Sequence, residues 1–212
     1  IDLAKVVVSA RVEIVGEVAR ALDKVYNQPG PDGNPLCLLH RDIKPPNIQL
    51  TASGEIKILD FGIARADFGH REAKTTAHIG GTMGYIAPER LHGEEGPAGD
   101  VYSLGMVLFE LLRGQLPKKR ADRKRVESTT PEEEVLDLAR HMISPDPDDR
   151  PDIRDVERTC RRLRGRLPAS CSWSLRALRS SLERSSTSAS RLAWRAIRSA
   201  SSKASSGRSS TR

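Results

Sequence analysis

Asp42, Lys44, Asn47 and Asp60 are the side chains whose types and spacing could do chemistry together. The first three lie in His40-Arg41-Asp42-Ile43-Lys44-Pro45-Pro46-Asn47. Asp60 opens Asp60-Phe61-Gly62, thirteen residues after Asn47. Phosphoryl transfer asks for a nucleophile held in line, a cation near the moving phosphate and metal ions on the phosphate oxygens. Asp42 can orient a substrate hydroxyl and accept its proton. Lys44, two residues on, shares its side of an extended segment and can reach the transferring phosphate. Asn47 and Asp60 offer hard oxygen ligands, which suit Mg²⁺ rather than zinc. Gly62 permits a backbone reversal.

These groups need elements to hold them. Residues 9–27 repeat apolar positions at helical spacing, with Val12, Val15, Ala19, Leu22 and Tyr26 on one face and Arg11, Glu13, Glu17 and Arg20 on the solvated side. Gln28-Pro29-Gly30-Pro31-Asp32-Gly33 ends that helix in a loop. Three short strands are expected, at Leu36–Leu39, Ile48–Leu50 and Ile56–Leu59, the last two flanking a hairpin loop at residues 51–55. Cys37 sits in the apolar run Cys37-Leu38-Leu39 and reads as a small core residue. Residues 63–86 are polar, Gly-rich and aperiodic, the character of a functional loop. Val101–Leu112 is apolar on every face, so its helix belongs in the middle of a core. Thr130-Pro131-Glu132-Glu133 carries the signature of a capping box at the start of another helix. A final helix follows Pro151, with Ile153, Val156, Cys160 and Leu163 on one side.

With its elements in this order, the chemical string resembles the eukaryotic-type serine/threonine protein kinases, in the style of their bacterial members. His40–Asn47 is similar to the catalytic loop HRDxKxxN, and Asp60-Phe61-Gly62 to the DFG metal motif. Gly81-Thr82-Met83-Gly84-Tyr85-Ile86-Ala87-Pro88-Glu89 looks like the end of an activation segment, Asp100–Gly105 like the start of the central buried helix, and Asp148-Asp149-Arg150-Pro151 like the late Arg motif. The resemblance covers residues 6–166, and five motifs in the right order make it specific. It implies a mainly α fold with a small β-hairpin region, that is, a protein-kinase-like C-terminal lobe over residues 1–168, followed by a disordered tail.

The resemblance further implies roles. Asp42 would be the catalytic base and Lys44 would steady the γ-phosphate of ATP, while Asn47 and Asp60 would hold Mg²⁺. Arg41 would meet a phosphorylated activation-segment residue, with Thr75 and Thr76 the nearest candidates. Glu89 and Arg150 would form a buried ion pair, Asp100 would hold the catalytic-loop backbone, and His40 would pack beneath it, with Phe61 and Gly62 structural. Lys44 and Thr82 favour serine or threonine over tyrosine as the acceptor. Pro46 departs from the pattern, where an acidic residue is common, without displacing Asn47.

The helix at residues 9–27 stands where the family's small lobe has already ended. No glycine-rich loop or strand lysine precedes it, and Lys5 lacks the context of one. A chain that opens on Ile1 therefore reads as a fragment whose small lobe is needed in cis or in trans. Two other readings compete with an enzyme fragment. One is a non-catalytic, pseudokinase-like scaffold, which would have no need of four intact site residues. The other is a basic-tail binder of nucleic acid or an acidic surface. Residues 169–212 hold sixteen Ser, eight Arg, one Lys and the single acid Glu183. They carry +8 of a chain total of +7, which leaves −1 on the first 168 residues, so the high pI describes the tail and not the domain. Such a stretch cannot build a core, and it could also arise from a shifted reading frame. Leu175, Leu178 and Leu182 with Trp173 and Trp194 would support at most an induced helix. The basic connector at residues 113–129 reads as a solvated loop. The cysteines Cys37, Cys160 and Cys171 show no metal or disulfide spacing. No apolar run is long enough to span a bilayer, and no signal peptide is recognisable, so a cytoplasmic setting is expected.

Overall fold

The computed structural model describes residues 3–51, 55–61, 83–118, 122, 124, 128 and 130–167, with side chains from residue 8 onward except at Met83. Among the described residues, four helices and one hairpin make up the longer regular elements: α1 (Leu3–Tyr26), β1 (Ile48–Leu50), β2 (Ile56–Ile58), α2 (Pro97–Arg113), α3 (Pro131–Met142) and α4 (Ile153–Arg166). Single 3₁₀ turns stand at Pro45–Asn47, Met83–Tyr85, Pro88–His92 and Pro147–Asp149.

α2 is the centre. Val101–Leu111 are buried without a break, as an all-round apolar helix must be. α1 packs against α4, α2 and β2, and α3 packs chiefly along α2, with further contacts to α4 and α1. The approach of α2 to α3 depends on Gly105, where a Cβ would stand 2.6 Å from Met142 Cβ and 2.9 Å from Ile143 Cγ2. At the head of α3, Thr130 Oγ1 accepts from the Glu133 N–H and Glu133 Oε2 accepts from the Thr130 N–H, both at 3.2 Å. That reciprocal capping box is the one the sequence signature called for. At α4, Asp152 takes the cap by accepting from the Arg154 N–H at 2.7 Å.

β1 and β2 pair antiparallel in the register Ile48↔Ile58, Gln49↔Lys57 and Leu50↔Ile56. The hairpin is closed by Thr51 N–H to Glu55 O at 2.9 Å. Ile48 and Leu50 turn inward to the core while Gln49 lies between them, half-buried, the alternation of a strand with one buried face.

Three sequence expectations need correction. Leu36–Leu39 forms no strand; the nearest pairing among the described residues is a single bridge between Pro29 and Pro35. Its β-propensity finds no neighbouring ladder, and Cys37 instead takes a left-handed φ of 51° with its N–H bonded to Tyr26 O. That twist leaves Cys37 exposed rather than in the core, with Leu36 and Leu38 exposed beside it. Arg11, expected on the solvated side of α1, is buried, and burial lowers its guanidinium pKa to about 10. α1 is covered on more than one face, so a single apolar stripe understates what it buries. The third difference is one of extent: the first helix begins at Leu3, the central one runs Pro97–Arg113, and the second strand stops at Ile58.

Candidate active site

The backbone at His40–Arg41 is pinned by one carboxylate. Asp100, in the first turn of α2, accepts the His40 N–H on Oδ2 at 2.7 Å and the Arg41 N–H on Oδ1 at 2.8 Å. Burial pushes its pKa up, against the pull of those two amide donors. Immediately after the second amide, Arg41 holds a left-handed φ of 67°. For a residue with a Cβ that conformation costs of order 1–3 kcal/mol, and it persists only where the surroundings over-determine it.

His40 is fully buried. Its Nδ1 accepts the Asp42 N–H at 3.2 Å and its Nε2 lies 2.9 Å from Leu59 O. These contacts fix one neutral tautomer, with the proton on Nε2. Burial lowers the His40 pKa, which agrees with a neutral ring. Phe61 packs on the imidazole at 4.6 Å between ring centroids. One buried ring thus ties the Asp42 backbone to the end of β2.

Above this base lie the four chemical groups. Lys44 Nζ stands 2.8 Å from Asp42 Oδ2, and both side chains are about one-fifth exposed, at 19% and 21%. Asn47 is buried and uses its amide N–H on Asp42, at 2.8 Å from the backbone O and 3.1 Å from Oδ2. The Asn47 carbonyl oxygen Oδ1 accepts from no described residue. The 3₁₀ turn Pro45–Asn47 follows from Pro at its first positions, where the missing N–H is no loss. Leu59 N–H donates to Asn47 O at 2.8 Å, which brings Asp60 to the Asn47 end of the hairpin. Asp60 is exposed, in a left-handed φ of 57°, and its carboxylate pairs with no described residue. An amide oxygen and a carboxylate with capacity to spare fit a hard divalent cation.

Glu89 and Arg150 meet as expected from the sequence, in a two-pronged pair: Nη1–Oε1 at 2.6 Å and Nη2–Oε2 at 2.8 Å. The Arg150 side chain is wholly buried. Its remaining donors go to the carbonyls of Ser144, Ala98 and Pro145, and its guanidinium lies 4.9 Å over the Tyr102 ring. The Arg150 hydrogen bonds draw the Glu89 pKa below the usual carboxylate range, against its desolvation.

Arg41 pairs with a group no motif flagged. Its Nε lies 3.2 Å from Glu95 Oε2 without hydrogen-bond geometry. Arg90 reaches Glu95 Oε1 at 3.2 Å, and its Nη1 donates to the Arg41 carbonyl oxygen. Tyr85 donates its hydroxyl to Glu110, and Ser103 donates to Tyr85 O at 2.7 Å. The sequence signal for the Tyr85 pairs is the presence of Ser103 and Glu110, polar residues inside an otherwise apolar stretch; none marks Arg90 or Glu95. Thr75, Thr76, Thr82 and Gly62 lie outside the described residues, as does the tail at 169–212.

A family model, the protein kinase domain, matches residues 9–160. The chain is 41% identical over 107 residues to serine/threonine-protein kinase PknB of Mycobacterium leprae. It is 41% identical over 109 residues to the PknB of Mycobacterium tuberculosis, and 42% over 109 to that of Mycolicibacterium smegmatis. Each alignment covers 50% of this chain and 16% of the relative. The chain thus spans only a small part of the length of the curated relatives it matches.

Proposed function

The chain belongs to the protein kinase family, with bacterial eukaryotic-type serine/threonine kinases among its relatives, and from that premise we propose that it carries the catalytic loop of an ATP-dependent serine/threonine protein kinase. The observation that carries the reading is the Asp42–Lys44–Asn47 cluster. A carboxylate, an ammonium at 2.8 Å and an amide at 3.1 Å converge on one rim above a buried, fully bonded base.

In this reading Asp42 Oδ orients the hydroxyl of a Ser or Thr in a protein substrate and takes its proton. Lys44, already facing Asp42, stabilises the phosphoryl group as it moves between the two oxygens. Asn47 Oδ1 and the Asp60 carboxylate would hold Mg²⁺, which when bound would neutralise charge on the phosphate oxygens. The Asn47 N–H bonds keep Asp42 aimed. Arg41 is available to a phosphorylated residue of the activation segment, for which Thr75 and Thr76 are the candidates. The nucleotide-gripping lobe is supplied by further sequence in cis or by a partner in trans, in a cytoplasmic setting. No described helix is long and apolar enough to cross a membrane.

Four intact chemical groups speak for an enzyme over a scaffold. The test is transfer of labelled phosphate from ATP to a protein substrate, with phosphoamino-acid analysis of the product. Residues 1–212 alone are expected to transfer negligibly, and transfer to Ser or Thr is expected once a small lobe is joined or added. Phosphorylation by 1–212 alone, abolished by Asp42→Asn, would overturn the need for that lobe. Product on tyrosine would overturn the acceptor class.

A further inference from the structure

The backbone immediately before Asp42 is gripped from two sides, and one of the grips has no part in the reading above. Asp100 takes the Arg41 N–H at 2.8 Å. On the other face of the same residue Arg90 Nη1 donates to the Arg41 carbonyl oxygen. Arg41 holds its left-handed φ of 67° between them. Arg90 is itself steered: Glu95 Oε1 lies 3.2 Å from its Nε, while Glu95 Oε2 lies 3.2 Å from Arg41 Nε. A single carboxylate therefore spans the arginine that clamps and the arginine that is clamped.

Two further observations separate this from an ordinary surface pair. The Arg90 side chain is only 12% exposed and points at a backbone carbonyl rather than at water. A lane has also been left for it. Gly99, in the first turn of α2, has no Cβ, and one built there would stand 3.2 Å from Arg90 Cδ and 3.7 Å from its Cγ.

We propose that Arg90 and Glu95 are positioning residues for the Asp42 loop. Arg90 locks the Arg41 carbonyl against the Asp100 grip on its N–H, and Glu95 holds both guanidinium groups in register. The proposal rests on the reading of Asp42 as the reacting carboxylate. Arg90 acts through the rigid backbone, since the peptide plane it grips is the one that leads into Asp42. Glu95 is 40% exposed and Arg41 24%, so their pair is open to screening by salt, whereas the Arg90–carbonyl bond is sheltered.

Residue-resolved amide hydrogen exchange on the full chain tests this. Arg90→Ala is expected to speed exchange at the His40, Arg41 and Asp42 amides about tenfold, the loss of one charge-assisted hydrogen bond, with the amides of α1 and α2 unchanged. Arg90→Lys, which can still donate to the carbonyl, is expected to recover part of that protection. Glu95→Gln is expected to give about a threefold effect at the same amides, reproduced in the native chain by high salt. Unchanged exchange at residues 40–42 in Arg90→Ala would overturn the proposal. So would an equal acceleration through α1 and α2, which marks a merely structural role. Should Arg90→Ala fail to fold, Glu95→Gln decides: loss of protection confined to residues 40–42 supports the proposal, and none overturns it. In a two-lobe form that transfers phosphate, Arg90→Ala is expected to lower kcat with KM for ATP unchanged, and an unaltered kcat would overturn the positioning role. If the wild type transfers none, the functional reading fails while the exchange result still stands.

Discussion

Beneath the loop at residues 40–47 and above it, the same residue types are used in opposite ways. Below, the Asp100 carboxylate divides its two oxygens between two backbone amides. Arg150 distributes its donors over one carboxylate and three carbonyls with its side chain sealed from solvent. His40 has both ring nitrogens bonded. Above, Asp42 and Lys44 pair at a partly open rim, and Asp60 presents its carboxylate to solvent. A charge that supports structure has its bonding capacity filled, because a buried orphan costs about 1–3 kcal/mol or more. A charge that meets a ligand must keep some in reserve. The contrast separates filled from open bonding capacity without reference to sequence motifs.

The sharpest way to break the lower region is Glu89→Ala. It strands the wholly buried Arg150 guanidinium, and the expected loss is about 3–5 kcal/mol of unfolding free energy, read as a lowered urea midpoint. Asp100→Ala comes next, with a loss of about 2–3 kcal/mol, because two buried amide donors lose their acceptor. It should also release Arg41 from its left-handed conformation. If either substitution left the midpoint unchanged, the lower region would not be a scaffold.

A smaller effect comes from pH. Burial lowers the His40 pKa, so below about pH 6.5, the ordinary histidine value, the unfolded chain takes up the proton first. Stability contributed by the neutral ring is therefore complete above that pH and falls as the pH drops towards the folded pKa. Asp100, pushed upward by burial, contributes the opposite slope. The difference between the native chain and His40→Gln, followed as urea midpoint against pH, isolates the imidazole. A difference that does not vary between pH 5 and 7.5 would contradict the assignment.

The upper region should hardly register on stability. Asp60→Asn, at an exposed carboxylate with no described partner, is expected to shift the midpoint by less than about 0.5 kcal/mol. A large loss there would erase the distinction between rim and base.

Much of this frame was legible from the residues. The central helix announced itself by being apolar on every face, α3 by its Thr130–Glu133 box, and the hairpin by two short strands around a turn. Asp42, Lys44, Asn47 and Asp60 stand out in the sequence because phosphoryl-transfer chemistry restricts residue types and spacing. What escaped was set by tertiary neighbours. Leu36–Leu39 has the composition of a strand, but a strand also needs a partner, and none adjoins it among the described residues. Arg11 reads as solvated until a second packed face of α1 is counted. Arg90 lies inside a 3₁₀ turn and Glu95 five residues on, beyond its end, so no helical or strand period brings them together. Only the path of Arg41 shows what they hold.

The central claim is that the rim does chemistry while the base holds it in place, and Asp42→Asn tests it most directly. In a form of this chain joined to a small lobe, labelled phosphate transfer and thermal midpoint are measured on the same preparation. Transfer is expected to fall by at least about 100-fold while the midpoint stays within a few degrees of the native value. Undiminished transfer with Asn at position 42, or a collapse of the midpoint in step with the activity, would contradict it.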